Sequence, residues 1–208
     1  MTPKKQAYRL TADGIIAALN KRNMEGYYCD SSAEAVEKAL SIMPEGSSIT
    51  WGGSASIKEC GLLDAIKNGR YEILDRDTAS DEKLFYSRAV LSNYFLMSTN
   101  AITLDGELLN IDGRGNRVAP MIYGPDNVIM IVGMNKVVKD VESAYKRVKV
   151  DACPPNTIRL NFDTPCAKTG KCIECLSPQC ICNQIVITRF SREKGRIKVI
   201  LVGEELGF

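Results

Sequence analysis

Histidine is absent from this 208-residue sequence, and that absence removes whole mechanisms. There is no Ser-His-Asp triad, no Cys-His dyad and no imidazole metal ligand, so catalysis must rest on carboxylates, Lys, Tyr, Cys or a bound cofactor. Long apolar runs are missing too. None approaches the roughly 18 to 20 residues that a membrane-spanning helix requires. The opening MTPKKQAYRL carries two lysines but leads into an amphipathic stretch rather than an apolar signal core, which predicts a cytoplasmic protein. A dominant charge sign is also lacking. Lys and Arg number 27 against 25 Asp and Glu, with no long basic run or aromatic-basic ladder, so no nucleic-acid partner is expected.

What the sequence has is an ordinary core-forming composition, 45% hydrophobic, sized for a single domain over residues 1–208 without repeats or low-complexity segments. Leu10, Ile15, Ala18 and Leu19 share a helical face within Arg9 to Lys21, and Ser31 with Glu34 forms a capping box before a second helix. SSITWGG then reads as a strand ending in paired glycines. SASIKECGLLDAIKNG follows as a helix closed by Gly69. Tyr71 to Asp75, Asn93 to Thr99 and Asn127 to Gly133 read as further strands, with helices over Asp81 to Leu91 and Asn135 to Val148. Leu108 to Ile111 lies between two Asp-Gly turns as a strand or half a hairpin. Alternating strands and helices predict an α/β fold, doubly wound, with a mostly parallel sheet flanked by helices. After Asp151 a polar link leads to the cysteine-dense segment. QIVITRF and RIKVILVG, joined by the turn REKG, then read as a hairpin added to the main sheet.

Eight cysteines in a chain of this size suggest reduced thiols or metal ligands rather than a disulfide framework. Cys166, Cys172, Cys175, Cys180 and Cys182 form a C-x5-C-x2-C-x4-C-x-C series within residues 166–182. Closely spaced thiolates around a C-x2-C pair suit an iron–sulfur cluster or tetrahedral zinc, since both take soft ligands from a turning backbone. With no histidine, four cysteines would complete the set. The spacing matches neither a bacterial ferredoxin run nor a two-knuckle zinc ribbon, so it leaves the metal open. Cys29, Cys60 and Cys153 read as packing residues, with Cys153 a minor candidate for the cluster.

Three further groups of residues are candidates for ligand binding. Gly52, Gly53 and Ser54, between a strand and a helix, would aim backbone N–H groups and a hydroxyl at an anion; the alternative is a tight turn with Ser54 as cap. The turn is neither G-x-G-x-x-G nor a Walker loop, so it signals no nucleotide. Asn100, Thr103, Asp105, Glu107, Asn110, Asp112, Asn116 and Arg117 cluster around Gly106, Gly113 and Gly115 beyond a strongly apolar strand, where open α/β sheets place ligands. Asp105, Glu107 and Asp112 are the candidate catalytic carboxylates and Arg117 the candidate anion clamp, though Asx-Gly sequences serve ordinary turns equally well. Asn135 and Lys136 repeat the theme at a second strand end.

The order TWGGSASIKECGLLDAI, STNAITLDGELLNIDGRGNRVAPMIYGP, NVIMIVGMNKVV, TPCAKTGKCIECLSPQCICN and IKVILVGEELGF resembles the LUD-domain family of lactate-utilisation proteins over nearly the whole chain. The resemblance implies a fold like that of ribose-5-phosphate isomerase, glucosamine-6-phosphate deaminase and the CoA transferases. It also implies an accessory or electron-transfer role in oxidation of L-lactate or another 2-hydroxy acid, with redox protein subunits as partners. The single cysteine segment is like that of the small stand-alone members. The competing expectation is an enzyme or sensor for a small anionic ligand, a sugar phosphate, CoA ester or carboxylate, with structural zinc. A homo-oligomer is left open by the sequence.

Overall fold

The computed structural model describes residues 2–208. Its main body is a six-stranded, wholly parallel sheet of β1 (Glu25–Cys29), β10 (Ile197–Val202), β7 (Asn127–Gly133), β4 (Tyr94–Met97), β2 (Ser48–Trp51) and β3 (Glu72–Ile73), in that spatial order. Both faces are covered, as expected. On one side α1 (Pro3–Lys21) lays Ala12, Ile15 and Leu19 against Phe95, Met97, Val128, Met130 and Val199. On the other, α2 (Ser32–Ile42), α3 (Ala55–Glu59) and α4 (Leu62–Lys67) cover Ile49, Leu96, Ile129, Ile131 and Ile200. Successive strand residues therefore serve opposite cores, which is why β7 and β10 are apolar without alternation.

Local chemistry sets several boundaries. Thr2 caps α1 by accepting from Lys5 N, and Pro3 occupies the first turn, where its missing N–H costs nothing. Ser31 caps α2 from Glu34 N, while the Glu34 carboxylate reaches back to Asp30 N. The helix expected from Ser54 to Gly69 is instead two pieces. Gly61 adopts φ +84 and breaks it between α3 and α4.

A second sheet, not expected from the sequence, has the order β8 (Val137–Val138), β5 (Ala101–Thr103), β6 (Leu108–Asp112) and β9 (Gln184–Thr188). Here β5 and β6 form an antiparallel hairpin, and β9 runs antiparallel to β6. The terminal strands are thus no hairpin: β9 joins the second sheet, whereas β10 inserts between β1 and β7 of the first. Val137 and Val138, expected in a helix, are the strand β8, and α7 (Val141–Arg147) begins at its Asp140 cap. A single wide turn of π-helical pattern, Val148–Ala152, carries α7 into α8 (Cys153–Arg159), replacing the expected polar link. These helices cover Ala101, Leu109 and Ile111 of the second sheet. The remaining helices are α5 (Glu82–Ala89), α6 (Val118–Ile122) and α9 (Pro165–Thr169). Among the described residues no helix is long and apolar enough to cross a membrane.

Candidate functional site

A cleft of about 530 Å³ opens where β2, β4 and β7 end, with the second sheet, α8 and the segment 178–183 as its far wall. Strand ends of an open parallel sheet are the expected ligand position. The side chains lining the cleft include the cations Arg76, Arg114, Arg117 and Arg159, with Lys136 on its floor, against the acids Glu82 and Asp112. That excess suits an anion.

Arg117 organises the near wall. Its Nη1 donates to Ser98 O and Asn110 Oδ1, and its Nη2 to Asn100 Oδ1 and Ile111 O, at 2.7–3.1 Å. Burial pushes its pKa down and Asp112 opposes the shift, its Oδ2 lying 3.7 Å from Nε. Gly52 is required beneath this side chain, because a Cβ there would meet Arg117 Cγ at 2.7 Å and Phe95 Cζ at 3.1 Å. Asp112 lines the cleft, but its carboxylate accepts from the backbone N–H groups of Arg114, Gly115 and Arg117. It folds the 112–117 loop rather than standing ready as a base.

Lys136, which follows β7, is buried at 4% exposure yet borders the cleft floor. Its Nζ lies 2.7 Å from Ser56 Oγ and 3.1 Å from Ser98 Oγ. Those hydroxyls donate their own protons elsewhere, Ser56 to Leu206 O and Ser98 to Thr99 O, so both accept from the lysine. Burial, reinforced by the nearby Arg147 and Arg117 cations, pushes the Lys136 pKa down to about 7.

The structure divides the other candidates from the sequence. Gly53, Ser54, Asn100, Gly113 and Asn116 line the cleft together with Asp112, Arg117 and Lys136. Ser54 is engaged as the cap of Ile57 N, and the helix it starts has only five residues, so the tight-turn alternative describes this hydroxyl. Asn110 and Asn135 sit behind the wall: Asn110 accepts from Arg117, and Asn135 ties down the 206–207 backbone through Leu206 N and Gly207 O. Asp105, Glu107 and Thr103 are not brought to the cleft. They form the opposite turn of the β5–β6 hairpin, against the end of α1, where Arg22 donates to Asp105 O and pairs with Glu107 at 3.5 Å. Asp105 and Glu107 are corrected on that ground as candidate catalytic groups. Sequence reasoning did not single out Arg76, Arg159, Ser56, Ser98 or Phe208; only Ser98, at the end of a strong strand, carried a positional signal.

Beside the cleft is a second, small cavity of about 10 Å³ lined by Cys153, Cys166, Cys172, Cys175, Cys180 and Cys182. Cys153, read from the sequence as packing, is brought to the other five by α8. Cys29 and Cys60 lie in the core under α2 and α4. The hydroxyls of Thr157 and Thr164 approach Cys166 Sγ at 3.4 and 3.3 Å, and Cys180 Sγ is 3.0 Å from Cys182 Sγ. The pairing of the Cys153 and Cys182 thiols pushes the pKa of the former down and that of the latter up. All eight cysteines are free thiols. The six are soft donors gathered on one α-helix, one short helical turn and a loop without regular structure, a donor set that fits a thiolate-bound metal centre. Among the described residues no three metal-binding side chains meet as closely as a single ion requires. Cys153, Cys180 and Ile181 line both the cavity and the cleft.

Fold and site together define an α/β protein with a cationic cleft at the ends of a parallel sheet and a thiol-lined cavity in the wall of that cleft. The profile of the LUD domain matches residues 12–202, and the chain belongs to that family. Among solved structures it is similar to a duf162 family protein from Deinococcus radiodurans, with 12% identity, a TM-score of 0.53, and 95% of this chain and 98% of that one covered. Ribose 5 phosphate isomerase A from Neisseria gonorrhoeae matches at 15% identity and a TM-score of 0.35, over 57% of this chain and 62% of the other. No curated protein matches the chain.

Proposed function

We propose that this protein is a redox component of 2-hydroxy-acid oxidation, of the L-lactate class, with a cysteine-held iron–sulfur centre beside an anion-accepting cleft. The observation that carries this reading is the shared wall: Cys153, Cys180 and Ile181 border both the thiol cavity and the cationic cleft. Family membership supports the substrate class. A cluster held by four of the six thiols would supply one-electron chemistry at that wall. The chain's own groups would place the ligand. Arg76, Arg114 and Arg159 bring positive charge to the cleft, Arg114 paired with Glu82 and Arg159 with Asn156 Oδ1, and Arg117 fixes the strand-end loops around it.

Anaerobic purification with iron and acid-labile sulfide analysis tests the proposal. Near-equal iron and sulfide, with an electron paramagnetic resonance signal perturbed by L-lactate, is the expected result. Protein that stays colourless and iron-free after reconstitution overturns it. A second reading, a small-anion enzyme or sensor with structural zinc, is favoured by one observation, the 10 Å³ cavity, whose size suits a single ion better than a cluster. Zinc without sulfide is the outcome that selects it.

A further inference from the structure

The amine of Lys136 is held by two hydroxyl acceptors and borders the cleft. Ser56 and Ser98 direct their hydroxyl protons to Leu206 O and Thr99 O, so each accepts one N–H from Nζ. In its neutral form the amine has two N–H bonds and one lone pair; with both bonds committed to the hydroxyls, the lone pair takes the remaining position. Among the described residues no ion pair to a carboxylate joins the two hydroxyl contacts. The charged groups facing Lys136 are Arg147 from α7 and Arg117 ahead of α6, which disfavour its proton, and Glu59 from α3, whose carboxylate also accepts from Gly207 N. A buried amine bordering a ligand cleft with its lone pair free is the arrangement of a nucleophile.

We infer that Lys136 forms an imine with a carbonyl compound bearing a carboxylate, a 2-oxo acid, seated in the cationic cleft. The Nζ lone pair attacks the carbonyl carbon and the carbonyl π pair moves to oxygen. The two amine protons pass to that oxygen with Ser56 and Ser98 in relay reach, the carbon–oxygen bond breaks, and water leaves as the carbon–nitrogen double bond forms. No oxidant or reductant is consumed. A 2-oxo acid is what oxidation of a 2-hydroxy acid yields, so the adduct would hold product or sense its level. The inference rests on the proposed function for its ligand class and for the seating of a carboxylate in the cleft, and it needs none of the cysteines. A pKa pushed down to about 7 leaves half the amine unprotonated at neutral pH, against a small fraction of one per cent for an exposed lysine.

The full-length protein, in whatever metal state it is isolated, is incubated at pH 7 with pyruvate and cyanoborohydride, then read by intact mass and peptide mapping. The expected result is one reduced adduct per chain on Lys136, formed at least about tenfold faster than on any other lysine. It is suppressed by excess L-lactate and absent from Lys136→Arg and Lys136→Met. Mapping on the unaltered protein decides the matter even if a variant fails to fold. Adducts spread over exposed lysines with Lys136 unmodified overturn the inference. Equal labelling of Lys136 by acetone overturns the carboxylate assignment. Iron-free protein that still labels at Lys136 removes the redox reading and keeps this one; an iron–sulfur protein that does not label does the reverse.

Discussion

The near wall of the cleft is held by Arg117, which donates to four acceptors on two neighbouring segments, 98–100 and 110–111, with Asp112 bound to three backbone N–H groups beside it. The far wall includes the segment 178–183, the end of a stretch, residues 170–183, without helix or strand, along which Cys172, Cys175, Cys180 and Cys182 lie half-exposed. One wall has spent its polar groups on itself. The other keeps most of its donor atoms for something else. The contrast separates architecture from chemistry: buried, saturated groups fix where a ligand sits, and unsaturated ones are free to react with it or bind metal.

The largest expected effect breaks the saturated wall. Arg117→Met removes a donor from Ser98 O, Ile111 O and the Asn110 side-chain oxygen and leaves the Asn100 side-chain oxygen only the Ile111 N–H, and should cost about 3–5 kcal/mol in denaturant unfolding. A loss below about 1 kcal/mol would show that the wall does not depend on it. Gly52→Ala presses on the same side chain and on Phe95, and should cost about 1–3 kcal/mol by the same measurement. Lys136 gives an effect that depends on pH. Because its pKa falls from 10.5 to about 7 on folding, the unfolded chain binds more protons between those values. Stability relative to Lys136→Met should therefore rise with pH across that window, by at most about 1.4 kcal/mol per pH unit, and be level below it. Parallel curves for the two proteins would mean that Lys136 is charged when folded. The smallest structural effect belongs to the other wall. Cys172→Ser with Cys175→Ser should leave metal-free stability within about 0.5 kcal/mol while metal content collapses. A large stability loss in the metal-free variant would make the loop structural rather than reactive. Asp105→Ala, outside the cleft, should leave ligand-induced thermal shifts unchanged.

The sequence shows the two Asp-Gly turns as one polar set, and the structure sends them to opposite ends of β6. The strand Leu108–Ile111 was visible between them; its direction was not, and a strand of five residues separates its ends by roughly 17 Å. Glycines and loop residues of the strand ends were legible because punctuation follows strong apolar runs, as with Met97 before Ser98 and Gly133 before Lys136. Cys153 was not, since its place beside Cys182 depends on the path of α8. The β9–β10 misreading followed the turn REKG, although the patterns differ: QIVIT is half exposed, whereas IKVILV is buried on both faces like an interior parallel strand. Val137 and Val138 looked helical by spacing, but pairing with Ile102 and Thr103 claims them for a strand.

The position of β10 carries a consequence in time. As the chain leaves the ribosome, β1 and β7 are made long before the strand that must lie between them, so until residues 197–202 emerge the sheet remains two unjoined parts. The residues just after that strand, Leu206 and Gly207, then bind Asn135, Ser56 and Glu59 and close the floor around Lys136. Such long-range pairing makes for slow folding and a nascent chain with exposed apolar edges. It also means that a nascent chain gains its reactive amine and its finished sheet in the same late event.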